Sequence, residues 1–174
     1  MYELNQSINW KPASTGEGRY GKWLENLQDW NLSRSRYWGI PLPIWRSADG
    51  EREKCIGSIE DLRREIELAN ERLGLQQEVP PDLHRPFIDL FVLVGEIGDE
   101  LRRELDLIDV WFDSGSMPYA QWHYPFENQE KFAQNYPADF IAEGVDQTRG
   151  WFYTLHAIAS MAFDSVAFKT VVSN

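Results

Sequence analysis

The stretch from residue 139 to residue 152 constrains the fold of this chain more than any other segment. Phe140–Ala142 is a short apolar run that predicts a buried strand, and in the polar turn that follows, Gly144 lets backbone approach a ligand and Asp146 can cap a helix. The apolar side of that helix is carried by Trp151, Leu155, Ile158 and Ala162. Open α/β sheets bind nucleotide-like ligands where a strand delivers polar side chains to a helix N-terminus, although ordinary strand-turn-helix units share the pattern.

The charge balance argues against an autonomous nucleic-acid-binding domain and against a DNA partner. The 174 residues include 17 Lys and Arg but 28 Asp and Glu, giving a net charge of -11, whereas affinity for phosphate comes mostly from basic side chains. The best candidate for a local basic patch is Ser33–Arg36, in which Arg34 and Arg36 flank a serine. Hydrophobic residues make up 43% of the sequence, enough for one sizeable domain with a small insert.

Cysteine and histidine usage favours a reducing compartment and no metal site. The single cysteine, Cys55, cannot form an internal disulfide, and the three histidines are too widely spread for zinc-ligand spacing. The N-terminus lacks the basic and apolar regions of a signal peptide, and no apolar run approaches the roughly 20 residues that span a bilayer. We therefore expect a cytoplasmic protein that binds neither a metal nor a membrane.

Residues 46–108 have the pattern of a small α+β insert. Asp49 and Gly50 form a tight-turn signal that predicts a β-hairpin, and Ser58 and Gly74 are typical start and stop signals for one amphipathic helix. Two further strands, joined as a second hairpin, are expected at residues 91–94 and 105–108.

The segments on either side of the insert are expected to belong to one α/β fold. Residues 1–45 provide an approach segment and the start of the second half of a catalytic fold, and residues 109–174 provide its strand-helix part. Asp109–Ser116 has the same pattern as residues 139–152, because the apolar end of an expected strand is followed by small polar residues. The sequence stops just after a strand expected at residues 168–172, which favours a fragment of a larger protein.

Three blocks, in this order and at these separations, resemble the class I isoleucyl-tRNA synthetases. They are WNLSRSRYWGIP at Trp30–Pro41, DVWFDSG at Asp109–Gly115 and EGVDQTRGWF at Glu143–Phe152. Leucyl and valyl enzymes share the core of the first block, whereas the second and third follow the isoleucyl pattern. With the intervening insert, the likeness covers nearly the whole chain and implies a partial Rossmann-like nucleotide-binding fold.

The resemblance implies a specific chemistry. The full-length enzyme would use ATP and magnesium to convert isoleucine to an aminoacyl-adenylate and would then pass the isoleucyl group to tRNA. The residues that it assigns to the adenylate are Glu143, Gly144, Asp146 and Gln147. Trp111 and Trp151 would line the isoleucine side-chain pocket, and Arg34 and Arg36 are offered for contact with tRNA.

Two family motifs are missing from this sequence. Synthetases of this class carry a His-Ile-Gly-His type motif and a Lys-Met-Ser-Lys-Ser type loop, which steady the ATP phosphates, and neither occurs among the 174 residues. We therefore expect the isolated chain to contain no catalytic residue, to bind neither ATP nor magnesium, and to be inactive. His84 has no partner at catalytic spacing and is expected to be structural.

The alternatives are a sibling enzyme of the same class and two proteins of other classes. A valyl- or leucyl-tRNA synthetase fragment would share the first block. A carbohydrate-active domain would account for the eight Trp residues, the acidic pI and the carboxylates Asp109, Asp113 and Glu143. A plain interaction module would bind neither an adenylate nor an oligosaccharide.

Overall fold

The structure, a computed structural model, describes residues Met1–Asn174 and divides into two compact units. The first unit comprises Met1–Asn31 and Val110–Asn174, and the second comprises Leu32–Asp109. The strands of the two units together are β1 (Asn9–Lys11), β2 (Ser33–Arg34), β3 (Ile44–Ser47), β4 (Glu53–Cys55), β5 (Val92–Val94), β6 (Glu100–Arg103), β7 (Leu107–Ile108), β8 (Ile141–Glu143) and β9 (Thr170–Ser173).

The helices complete both units. The α-helices are α1 (Tyr2–Asn5), α2 (Gly21–Glu25), α3 (Ile59–Leu73), α4 (Val110–Gly115), α5 (Met117–Ala120), α6 (Gln129–Asn135) and α7 (Trp151–Phe163). A π-helical turn covers Thr15–Tyr20, and 3₁₀ helices cover Ile88–Leu90 and Val145–Arg149. No helix is both long and apolar enough to cross a membrane.

A parallel three-stranded sheet, in the order β1-β9-β8, organises the first unit. The strand expected at residues 140–142 is present as β8, but it is not buried, since Phe140 is 56% exposed and Ala142 and Glu143 are also exposed. Helix α7 supplies the core instead, where Phe152 and Leu155 pack with Val171 of the central strand. The predicted α/β class is confirmed, with the Rossmann-like sheet represented by its parallel strands.

Aromatic side chains fill a second core cluster in the first unit. Tyr119 stacks on Phe163 with ring centroids 4.6 Å apart, and Tyr124 lies 4.1 Å from Phe132. Burial raises the pKa of the Tyr119 hydroxyl well above its ordinary value. Much of the high aromatic content is therefore used for packing rather than for ligand binding.

An antiparallel sheet in the order β4-β3-β6-β5 forms the second unit. The hairpin predicted around Asp49 and Gly50 is confirmed, with Trp45 opposite Lys54 and Gly50 at φ 75°. The predicted helix α3 is also confirmed, because the Ser58 hydroxyl accepts the Asp61 N–H at 3.0 Å and Gly74 ends the helix at φ 67°. Both features follow from local turn and cap chemistry.

The second predicted hairpin is wrong in its second strand. β5 pairs with β6, whereas Leu107–Ile108 pairs antiparallel with Ser33–Arg34. The chain leaves β6 at Arg103, whose buried guanidinium donates to the carbonyls of Leu42 and Asp106, both at 3.2 Å. The β2-β7 pairing also explains why the second unit starts at Leu32 rather than at the expected residue 46.

Candidate functional site

The polar turn after β8 is fixed to the neighbouring strand at the carboxyl end of the parallel sheet. The backbone N–H of Val145 donates to the Asn174 carbonyl at 2.8 Å, and the Asn174 N–H donates to the Glu143 carbonyl at 3.2 Å. Gly144 is extended, with φ -62° and ψ 154°, and leads directly into the 3₁₀ helix Val145–Arg149. The residues expected to hold the adenylate therefore lie at the edge where open α/β sheets bind ligands.

Gly144 provides space for a carboxylate folded over the backbone. A Cβ atom at position 144 would lie 2.4 Å from Oδ1 of Asp146, a distance that real side chains do not tolerate. Any other residue at this position would therefore displace the Asp146 carboxylate. The predicted capping role of Asp146 is wrong, since neither the 3₁₀ helix nor α7 has a side-chain cap from it. Its Oδ2 instead accepts the Gln147 amide at 3.2 Å.

Gln147 makes the capping contact that the sequence assigned to Asp146. Its Oε1 accepts the backbone N–H of Trp151 at 2.8 Å, satisfying one of the donors that a helix leaves unpaired in its first turn. The sequence did not indicate Gln147 as a cap. It lies four residues before Trp151, because a 3₁₀ helix adds an extra turn between β8 and α7. Gln147 thus links Asp146 to the start of α7.

Trp111 lies in the first turn of helix α4, and its expected place at a strand tip is wrong. The strand already ends at Ile108, and α4 packs closely on α7 at Gly115. A Cβ at Gly115 would come within 3.0 Å of Thr154 and 2.9 Å of Ile158, so only glycine permits this approach. The close helix packing positions Trp111.

Trp111 lies beside Gly150, which directly precedes Trp151 in the chain. The Trp151 Nε1 donates to the Ser114 carbonyl at 3.0 Å, joining α7 to α4. A Cβ at Gly150 would lie 3.5 Å from Cη2 of Trp111 and 2.7 Å from Oε1 of Gln147. An aromatic wall therefore stands beside an amide and a carboxylate. Gly150 was missed in the sequence, although its place directly before a helix start was visible.

Glu143 is the least constrained of the predicted adenylate residues. Its side chain is exposed at the end of β8 and forms no ion pair or side-chain hydrogen bond. The carboxylate is consequently available to accept hydrogen bonds from a ligand hydroxyl group.

Arg34 and Arg36, in the second unit, differ in their surroundings. Arg34 donates to the Asp109 carboxylate at 2.5 Å and to the Ser33 carbonyl at 2.8 Å, whereas Arg36 is exposed. Asp109 is itself buried, with 4% exposure. This ion pair occupies Asp109, one of the three carboxylates on which the carbohydrate alternative depends.

No group of three or more His, Cys, Asp or Glu side chains is arranged to hold a metal ion. His84 was expected to have no partner at catalytic spacing, and this premise is wrong, because its Nδ1 lies 2.8 Å from Oδ1 of Asp82. Its ring also stacks on Trp38, and that its role is structural stays a prediction. His156 is buried against the Met1 carbonyl. That the protein binds no metal stays a prediction.

Comparison with known proteins places the chain in a family. A family model described as tRNA synthetases class I (I, L, M and V) matches residues 1–174. The isoleucine–tRNA ligase of Cytophaga hutchinsonii is 69% identical over 100% of this chain and 16% of its own length. The isoleucine–tRNA ligase of Bacteroides fragilis is 61% identical over 100% of this chain and 17% of its own length.

A solved structure supports the fold. The LeuRS of Agrobacterium radiobacter K84, in a ternary complex with tRNA and LeuAMS, superposes with a TM-score of 0.55 at 17% identity, covering 92% of this chain and 22% of that chain. This chain spans only 16–17% of the length of the two curated relatives. Because the family match extends along every residue, the chain belongs to the class I tRNA synthetases.

Proposed function

We propose that this chain is part of an isoleucine–tRNA ligase and forms the part of its catalytic fold that holds isoleucyl-adenylate. The ligase joins isoleucine to its tRNA at the expense of ATP and works in the cytoplasm. The observation that carries the proposal is the convergence of Gly144, Asp146 and Gln147 with Trp111 and Trp151. Identities of 61–69% to isoleucine–tRNA ligases along the whole chain support the same substrate.

The aromatic wall suits the branched side chain of isoleucine. The indole N–H of Trp151 is already used by the Ser114 carbonyl, so the ring can present an apolar face. Trp111 is 44% exposed and retains surface that a ligand can cover. An apolar pocket separates isoleucine from valine by only about 1–3 kcal/mol per methylene. Further discrimination must therefore come from an editing activity elsewhere in the ligase.

The polar turn suits the adenylate. Its ribose hydroxyls need acceptors, which the exposed Glu143 carboxylate and the Asp146 carboxylate provide. The missing side chain of Gly144 lets the ligand approach the backbone closely. In the activation step, a carboxylate oxygen of isoleucine attacks the α-phosphorus of ATP as the bond to pyrophosphate breaks. The role of this chain is to hold the product in place and exclude water.

The experiment measures isoleucine-dependent exchange of pyrophosphate into ATP by the full-length ligase, with valine and leucine as competing amino acids. We expect exchange with isoleucine, and a rise in the KM for isoleucine of at least about tenfold in Trp111→Ala. Trp38→Ala, which removes an exposed tryptophan of the second unit, is the matched control. Preference for valine or leucine would identify the protein as a sibling enzyme. Exchange with none of the three amino acids would refute the proposal.

The isolated 174-residue chain provides a second test. We expect it to show no exchange, because it lacks the two motifs that steady the ATP phosphates. Calorimetry with non-hydrolysable isoleucyl-, valyl- and leucyl-adenylate analogues then measures whether it binds the product. Binding of an oligosaccharide but no adenylate analogue would favour the carbohydrate-active alternative.

A further inference from the structure

A cleft with a strongly basic lining lies in the first unit, beside the adenylate turn. It has a volume of about 470 Å³ and is lined by Gly18, Arg19, Lys22, Trp23, Asn26 and Arg149. Its volume falls within the roughly 300–1,000 Å³ of typical ligand sites. Three of its six lining residues are cations and none is an acid.

These cations have no acidic partner. Arg19, Lys22 and Arg149 form no ion pair, although the chain carries 28 acidic residues against 17 basic ones. In so acidic a chain, most basic side chains have a carboxylate within reach, as in the pairs of Arg52 and Lys54. Three like charges around one cleft repel one another, and an anion placed between them relieves that repulsion.

Two of the three cationic groups, those of Arg19 and Arg149, already have contacts that position them. Arg19 donates from Nε to the hydroxyl of Thr148 at 3.0 Å, and this fully buried hydroxyl donates to the Val145 carbonyl at 2.7 Å. The bond uses only Nε, which leaves both terminal nitrogens of Arg19 for a ligand. The guanidinium of Arg149 lies 5.9 Å from the centroid of the Trp23 ring, at the range of a cation–π contact.

Trp23 gives the cleft an aromatic wall. Its ring packs on Tyr153 with centroids 4.7 Å apart and is only partly buried. Positive side chains that follow a phosphate backbone, with aromatic rings that accept a base or sugar, are the usual combination at sites for single-stranded nucleic acid. The lining therefore fits a polynucleotide better than a small inorganic anion.

We propose that this cleft binds a backbone phosphate of tRNA, with Arg19, Lys22 and Arg149 as its contacts. The inference rests on the proposed ligase function, because tRNA is the polynucleotide that such an enzyme receives. Arg149 ends the same 3₁₀ helix that carries Asp146 and Gln147. The cleft thus positions the nucleic acid next to the turn proposed to hold the adenylate. Contacts of this kind set position and affinity without reading sequence.

The test uses the full-length ligase with Lys22→Gln as the main variant and Arg149→Gln as the second. Lys11→Gln is the matched control, because Lys11 is an exposed lysine of the same unit that also lacks an ion pair. We expect each cleft variant to raise the KM for tRNA in aminoacylation by about fivefold. The slope of log affinity for tRNA against log salt should fall by about one per lost contact. Lys11→Gln should change neither quantity.

Pyrophosphate exchange without tRNA separates the possible failures. We expect Lys22→Gln to exchange at the wild-type rate with an unchanged KM for ATP. An unchanged KM for tRNA and an unchanged salt slope would overturn the tRNA site. A raised KM for ATP with a normal KM for tRNA would also overturn it and would assign the phosphate to the nucleotide. If the wild-type ligase shows no exchange, the proposed function fails, and direct binding of tRNA by the two variants still tests the cleft.

Discussion

Replacing Gln147 separates the structural task of this side chain from its proposed binding task. Its Oε1 accepts the Trp151 N–H at 2.8 Å, and its amide donates to Asp146 at 3.2 Å on the exposed side of the turn. Loss of a helix N-terminal acceptor costs about 1 kcal/mol, in a range of roughly 0.5–2 kcal/mol. The exposed bond to Asp146 adds less. We expect Gln147→Ala to lower the free energy of unfolding by about 1 kcal/mol, a roughly fivefold change in the ratio of folded to unfolded protein.

Gln147→Glu keeps an oxygen acceptor at the same place. A carboxylate near a helix N-terminus is favoured by about 0.3–1 kcal/mol, which offsets its repulsion from the neighbouring Asp146. The variant should therefore unfold near the wild-type temperature. Two adjacent carboxylates would repel the adenylate phosphate, so isoleucine-dependent exchange should fall by about tenfold or more.

Thermal unfolding and pyrophosphate exchange are measured on the same preparations of both variants. Unchanged unfolding of Gln147→Ala would show that the Trp151 N–H has another acceptor. Normal exchange by Gln147→Glu would show that this position does not face the adenylate. Either result would contradict the role given to this side chain.

The second unit supports two further predictions. Arg103→Met should lower the free energy of unfolding of this unit, measured in urea, by about 3–5 kcal/mol, because the fully buried Arg103 pairs with Asp89. The control, Arg102→Ala on the same strand, should lower it by less than about 1 kcal/mol. Equal costs for the two variants would contradict the buried pair. Asp49 should titrate at about 2 by NMR, because hydrogen bonds from the Ser47 hydroxyl, the Glu51 N–H and Arg52 lower its pKa from 3.8. This stabilisation is complete above about pH 4 and is lost as the pH falls through about 2; a pKa near 3.8 would refute it.

Local signals were sufficient for the turn and the helix cap of the second unit, which depend on neighbours in sequence. The Asp49-Gly50 hairpin and the Ser58 cap of α3 were predicted correctly because each is decided by a few adjacent residues. The predictions failed where a distant segment competes for the same backbone. Leu107–Ile108 was expected to close a hairpin, but it pairs with Ser33–Arg34, more than seventy residues earlier. Sequence periodicity contains no information about which of two partners is available.

The candidate site residues were chosen from the sequence, since the blocks containing Trp111, Glu143 and Trp151 resemble one enzyme family. That resemblance could not show which side chain of the turn makes which contact. Gln147 rather than Asp146 caps α7 because a 3₁₀ helix intervenes, and Trp111 stands on a helix because Gly115 lets α4 approach α7.

The sequence by itself determined the family, the polar turn and the residue types available there, because these depend on side-chain chemistry and short-range spacing. Only the tertiary structure decided which atoms meet. It brought Trp111 to Gly150 and gathered Arg19, Lys22 and Arg149 around one cleft, although Arg19 and Arg149 are 130 positions apart. Contacts at such separations are set by the packing of whole helices and strands, whose free energy no single segment contains.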